Sequence, residues 1–296
     1  MKSQNRRDFL RFATMGAVGA AALGQIDLKA NTLSAGKPGI GLQLYTIRDA
    51  MKADPAGSLK KVADIGFKYL ELAGFADGKF YGYTPEDFKK LVSDLGMEVV
   101  SSHSGVEVKG VDTSNAESMA EAHAKLGVKY CIQPWMVEER RKSVESYKKF
   151  VADLNLVGGV MQKYGIQFGY HNHDFEFKPV EGKVPYFDIY MVDADPKLVV
   201  FEMDCYWVTR AGQNPIDIFK KYPGRFHLLH FKDMEKTPDK FFAPVGTGSI
   251  DYKAIYDARN ISGMKYIIVE QDNTRDGKPF DAIKISFDNI SNKILV

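Results

Sequence analysis

The stretch IGLQLYTIRDAMKADPAGSLKKVADIGFKYLELA, residues 40–73, carries the pattern from which the fold is read. It opens on a short apolar run (40–45), passes through Asp54-Pro55 into an amphipathic segment over 55–65, stops at Gly66 and returns to a second apolar run over 69–73. Proline suits the first helical turn, where its missing N–H costs nothing, and glycine suits the left-handed position after a helix. The unit is strand, helix, strand, and it recurs. Further strands are expected over 98–102, 129–133, 167–170, 198–203, 226–231 and 266–270, with helices over 85–95, 116–126 and 143–164. Pro85 and Pro215 open helices as Pro55 does, and Gly96, Gly127 and Gly165 follow them as Gly66 does. Strict alternation argues for a parallel sheet. Eight units over about 260 residues predict an α/β fold, a single (β/α)8 TIM barrel, with 174–183 as an extra loop over its mouth. No G-x-G-x-x-G follows the first strand, which argues against an open dinucleotide-binding sheet.

Residues 1–30 read differently. Asn5-Arg6-Arg7-Asp8-Phe9-Leu10-Arg11 precedes an uncharged small and apolar run from Phe12 to Gly24. A basic segment ahead of so short an apolar one reads as a signal peptide rather than a membrane span. The paired arginines make it a twin-arginine type, read by an export receptor. The expected organisation is therefore a signal at 1–30, a barrel over 36–296, and a periplasmic or exported product without stable membrane insertion. Removing 1–30 takes five basic and two acidic groups from a net charge of +2 and leaves −1, which argues against a nucleic-acid partner. With 45% hydrophobic and 26% charged residues the chain is an ordinary globular one. Cys131 and Cys205 have no C-x-x-C spacing and are expected to be two free thiols.

In a barrel of this kind chemistry sits at the C-terminal ends of the strands, and here those ends are polar. Strand two carries Glu71, strand three His103, strand five Tyr170-His171-Asn172-His173-Asp174, and strand six Glu202-Met203-Asp204. Strand seven carries His230-Phe231-Lys232-Asp233 and strand eight Glu270-Gln271-Asp272. Alternation puts His171 with His173, Glu202 with Asp204, and His230 with Lys232 on one face. Burying so many ionisable groups without a cation is costly. Imidazole and carboxylate donors suit one divalent ion, Mn2+, Mg2+, Co2+ or Zn2+. Tyr45, Trp135 and Trp207, with Glu71 and His103, are candidate substrate-binding residues. Cys205 is expected to pack outward, and the partner of Glu202 is not legible.

These motifs resemble the xylose isomerase-like barrel family of sugar isomerases and epimerases, over the whole chain after the signal. The matching pieces are His171-Asn172-His173, Asp204, His230-Phe231-Lys232-Asp233, Glu270 and the Gly246-Thr-Gly248-Ser-Ile-Asp251 loop. The resemblance implies Asp204, His230 and Glu270 as metal ligands, with His171 as a fourth. It implies proton abstraction α to the carbonyl of a sugar or keto-sugar through a metal-stabilised enediolate, with Glu270 catalytic. From strand position His173, one inward step above His171, is a further catalytic candidate as base, acid for a leaving group or ligand. Lys232, inward beside His230, is a third that neutralises developing negative charge. One departure stands out: the family's two-glutamate epimerases carry a glutamate where this chain has His171. The strand-five and strand-eight motifs are more similar to the family's inosose dehydratases, so a dehydratase or lyase acting by β-elimination on a keto-sugar, keto-cyclitol or 3-keto-glycoside is the alternative. Two readings from other classes are a DNA-repair endonuclease on the same barrel, disfavoured by charge and ligand count, and a non-catalytic sugar-binding protein. The expected partner is a small sugar or keto-sugar, and a homo-oligomer is one possible assembly.

Overall fold

The computed structural model describes residues 39–104, 114–182 and 184–296. The signal segment 1–30 and the expected barrel boundary at 36 lie outside the described residues. Eight strands form a closed barrel: β1 (Ile40–Gln43), β2 (Tyr69–Leu72), β3 (Glu98–His103), β4 (Tyr130–Gln133), β5 (Gln167–His171), β6 (Val199–Asp204), β7 (Phe226–Phe231) and β8 (Tyr266–Val269). Each pairs in parallel with its neighbours in the chain, and β8 closes onto β1 through Gly41 opposite Ile268. Helices cover the outside, among them α1 (Pro55–Ile65), α2 (Pro85–Asp94), α3 (Ala116–Leu126) and α4 (Val144–Lys163). Pro55 and Pro85 stand in their first turns as expected, capped by the side chains of Asp54 and Thr84. The loop after β5 holds a small hairpin of Pro179–Val180 against Val184–Pro185.

Apolar side chains form two layers. Val100, Tyr130, Ile132, Val200, Leu228 and Ile268 fill the lower barrel interior, and a larger belt packs between strands and helices. Space inside is tight. A Cβ on Gly41 would come 2.6 Å from Ile268 Cδ1, and one on Gly169 2.6 Å from Ile132 Cδ1. These two inward positions therefore take glycine for room, not for backbone freedom. Above the plug, inward positions turn polar.

Strand ends differ from the sequence expectation by a residue or two. β3, β5 and β6 run on to His103, His171 and Asp204. β1 stops at Gln43, because the Gln43 side chain accepts the Tyr45 N–H and turns the chain into a 3-10 segment. Cys131 and Cys205 are free and buried, as expected. Among the described residues no helix is long and apolar enough to cross a membrane.

His123 on α3 belongs to the packing and not to the strand-end chemistry. Its ring lies edge-on to Phe75 and Phe80. The Met119 carbonyl can only accept, so Nδ1 donates to it at 2.7 Å and Nε2 accepts from the Ser104 hydroxyl at 2.7 Å. Burial pulls this imidazole down to about 4. The unfolded chain therefore binds the extra proton first, and stability drops as pH falls from about 6.5 to about 4, by about 3 kcal/mol in all. Denaturant unfolding at pH 7 and pH 4.5 is expected to show this loss in the native chain and a smaller one in His123→Gln. Equal pH dependence in both would contradict it.

Candidate functional site

The first two inward carboxylates follow the alternation of β2 and β6 and lie beside register shifts in the neighbouring strands. The β2–β3 pairing slips between Leu70 and Glu71, and the β6–β7 pairing slips between Phe201 and Glu202. The extra residues are Val100 on β3 and His227 on β7, so any re-aiming falls on those strands. Both glutamates lie on the polar floor above the apolar plug, with His103 and His230. His103 Nε2 donates to Glu202 Oε2 at 2.6 Å and lies 3.2 Å from Glu71 Oε2. His230 Nε2 donates to Glu71 Oε2 at 2.6 Å and lies 3.2 Å from Glu202 Oε2. Burial opposes charge on all four. For both imidazoles the neighbouring carboxylates outweigh it: Glu71 and Glu202 hold His103 above its ordinary value, and Glu202, Glu270 and Glu71 hold His230 well above. For Glu202, His230 and His103 outweigh burial and keep it well below the usual carboxylate range. Glu71 moves the other way, raised by burial and by the charge of Glu202.

The opposite edge of the His230 ring faces a second cluster. Its Nδ1 lies 3.0 Å from Glu270 Oε2, and His171, Asp204, His230 and Glu270 each place a ligand atom within 4.8 Å of the others. Lys232 stands beside them, 2.7 Å from Asp272, 3.1 Å from Glu270 and 3.4 Å from Asp204. It is 1% exposed, so a solvated rim position is excluded. Burial would lower this ammonium, but the three carboxylates raise it. Burial would raise Glu270, but Lys232 and His230 hold it well below its usual range. Asp272 is pushed up to about 6 by burial, against the pull of Lys232.

Whether this cluster suits a divalent ion can be tested on its hydrogen bonds. Both ring nitrogens of His171 and the Asp204 Oδ2 are buried and make none. Buried polar atoms are seldom left so. Neutral imidazole and carboxylate donors are the set that Mn2+, Co2+ or Zn2+ takes. The residues fit: His171, Asp204, His230 and Glu270 would hold the ion. Their supports are in place, since Asn172 Oδ1 accepts the Asp204 N–H at 3.1 Å and Asp204 Oδ1 accepts the Trp207 N–H at 2.9 Å.

A cavity of about 370 Å³ opens above, lined by Tyr45, Ala73, His103, Pro134, Trp135, His171, His173, Lys232, Glu270 and Asp272. Tyr45 and Trp135, 44% and 45% exposed, form its rim. His173 stacks on Phe175 and meets Trp135 and Trp207 edge-on or tilted. Burial, with the charges of His171 and Lys232, keeps it well below its ordinary value, so it is neutral at pH 7. Its loop is pinned by Glu176, which accepts the His173 N–H and the Tyr170 hydroxyl, and which burial pushes up to about 7.

Two expectations need correction. Glu71 does not face substrate: it is fully buried beneath His230 and bonded to Gln43 and His230. Trp207 does not line the cavity; it sits in the first turn of the short helix Cys205–Arg210, behind His173. Asp233 also takes a structural role. Its carboxylate accepts the N–H groups of Gly246, Gly248 and Ile250, so the glycine loop wraps around it. A Cβ on Gly248 would meet Asp233 Oδ1 at 2.3 Å. Gln43, which orients Glu71, carries no sequence signal; Asn172 stands in the His171-Asn172-His173 motif, but its bond to the Asp204 backbone is not legible there.

A sequence profile described as xylose isomerase-like TIM barrel matches residues 59–291. The chain spans about half the length of several curated relatives it matches. One is an inosose dehydratase from Lacticaseibacillus casei, 25% identical over 155 residues, 46% of this chain and 51% of the relative. An inosose dehydratase from Clostridium beijerinckii is 27% identical over 243 residues, 72% of this chain and 73% of the relative. Among solved structures, a sugar phosphate isomerase/epimerase from Parabacteroides distasonis superposes with a TM-score of 0.77 at 30% identity, covering 88% of this chain and 99% of the other.

An ion bound only by the folded chain raises its stability, by about 2.7 kcal/mol at 100 times the dissociation constant. Thermal melts with Mn2+ or Zn2+ are expected to rise and to fall back with EDTA. Asp204→Asn should lose most of that rise; an equal rise in the variant would take Asp204 out of the metal set.

Proposed function

Given that the chain belongs to the xylose isomerase-like TIM barrel family, we propose that it is a divalent-metal-dependent enzyme that removes a proton α to the carbonyl of a keto-sugar or keto-cyclitol. The observation that carries this reading is the convergence of His171, Asp204, His230 and Glu270 under an open cavity, with the ring of His171 and Asp204 Oδ2 making no hydrogen bond. A bound divalent ion would supply Lewis-acid polarisation of the carbonyl oxygen. The chain's own groups do the rest. Glu270, kept ionised by Lys232 and His230, is the base that accepts the α-proton. Lys232, kept charged, offers its N–H to negative charge developing on a substrate oxygen. His173, neutral and lining the cavity, accepts a hydrogen bond from a substrate hydroxyl and orients the ring. Tyr45 and Trp135 cover the apolar face of the sugar at the rim.

The proton leaves as an enolising step, and two outcomes follow. Return of a proton gives isomerisation or epimerisation, the chemistry in the name of the Parabacteroides structure. Loss of a β-substituent gives dehydration, as in the names of the curated relatives. One observation favours elimination: strand β5 presents His171, an imidazole among metal donors, where epimerisation through two glutamates has its second carboxylate.

Proton NMR of the metal-loaded protein with 3-keto-sugars and keto-cyclitols in D2O tests this. An unsaturated ketone is expected. Deuterium beside the carbonyl on an intact skeleton would move the reading to isomerase or epimerase, and no exchange with any of them would move it to a binding protein. Glu270→Gln should lose turnover by about 10²–10⁴-fold, the scale of a general base, and retain metal less well. Wild-type turnover in that variant would remove Glu270 from the mechanism.

We also propose that residues 1–30 direct twin-arginine export, on the strength of Arg6-Arg7 before Phe9-Leu10. Replacing both arginines with lysine should hold the protein in the cytoplasm; unchanged export would overturn the assignment.

A further inference from the structure

The geometry points to a hydrogen-bond chain, running through Gln43 and converging on Glu71, that sets which nitrogen of His230 faces the metal centre. The inference rests on the metal-centre reading above and assigns Gln43 and Glu71 as positioning residues. The chain begins at the backbone of the rim residue Tyr45, whose N–H can only donate and does so to Gln43 Oε1 at 3.0 Å. This fixes the amide of Gln43, so that its Nε2 is the atom turned to Glu71, donating to Oε2 at 2.8 Å. That oxygen is therefore an acceptor, and it accepts again from His230 Nε2 at 2.6 Å. The ring hydrogen is thus held on Nε2, with Glu202 Oε2 only 3.2 Å away as a second acceptor on the same edge.

The consequence appears on the other edge of the ring. Nδ1 faces Glu270 Oε2 at 3.0 Å, within hydrogen-bond distance, and with Nε2–H committed to Glu71 it is the nitrogen whose hydrogen a cation would displace. A cation shared by Nδ1 and Glu270 satisfies both. Without the Gln43–Glu71 chain either nitrogen could carry the hydrogen, and the tautomer with Nδ1–H cannot bind metal from this edge. Gln43, Glu71 and His230 have no exposed surface, so water does not compete for these bonds.

The test uses the full protein, 15N-labelled in histidine and loaded with Zn2+. Two-bond proton–nitrogen NMR is expected to show His230 with hydrogen on Nε2 and zinc on Nδ1. Chelator competition should show Zn2+ binding about 10–100-fold weaker in Glu71→Ala and in Gln43→Ala, the range for lost outer-shell partners. The NMR assignment is made on the native chain and stands even where a variant fails to fold. Zinc on Nε2, or Zn2+ affinity unchanged in a folded Glu71→Ala, would overturn the positioning role and leave the metal centre standing. No zinc shift on any histidine would overturn this inference together with the metal-centre reading.

Discussion

One imidazole ring joins the two halves of the polar interior. His230 meets Glu71 and Glu202 through Nε2 and Glu270 through Nδ1, all without exposed ring surface. Buried carboxylates must be paired, neutralised or bound to a cation. The floor solves this with protons, since Glu71 and Glu202 are bridged by His103 and His230. The level above it has Asp204, Glu270 and Asp272 gathered around the single ammonium of Lys232, with the imidazole of His171 making no hydrogen bond. The charge balance there is incomplete among the residues described, and a divalent cation would complete it. The ring of His230 ties the two solutions together, which is why the floor carries weight for the chemistry although no substrate reaches it.

The barrel makes this possible by geometry. Apolar residues fill its lower interior, and the inward positions above them come from strands far apart in sequence. Asp204 stands opposite His230 in the β6–β7 pairing, and Glu202 opposite His171 in the β5–β6 pairing. Neighbouring strands thus supply successive ligands, while the loops above shape the cavity. The Asp233 carboxylate gathers the glycine loop, and Tyr252 bonds both backbone groups of Lys232. Those contacts keep the end of β7, with its ammonium, where it must be.

Much of this was legible in the chain. Proline-opened and glycine-closed helices alternating with apolar runs specify the barrel, and period-two alternation puts His171, Asp204, His230 and Glu270 inward. What was not legible has a common cause. Glu71 keeps the inward period of its strand, but alternation does not tell at what depth it sits, so it reads from sequence as a cavity residue and proves to be a support beneath His230. The partners of Glu202 are His103 and His230, residues 99 and 28 positions away that only closure of the sheet brings near. Trp207 reads as a rim aromatic because it follows Asp204, but a helix begins at Cys205 and turns the indole behind His173. Gln43 is ordinary in the sequence and acquires meaning only from the turn at Tyr45.

We place the cation at the upper cluster and the proton at the lower one. Anomalous diffraction from crystals soaked in Mn2+ tests it directly. One peak is expected, bounded by His171, Asp204, His230 and Glu270. A peak among Glu71, His103 and Glu202, or none at either cluster, would contradict it.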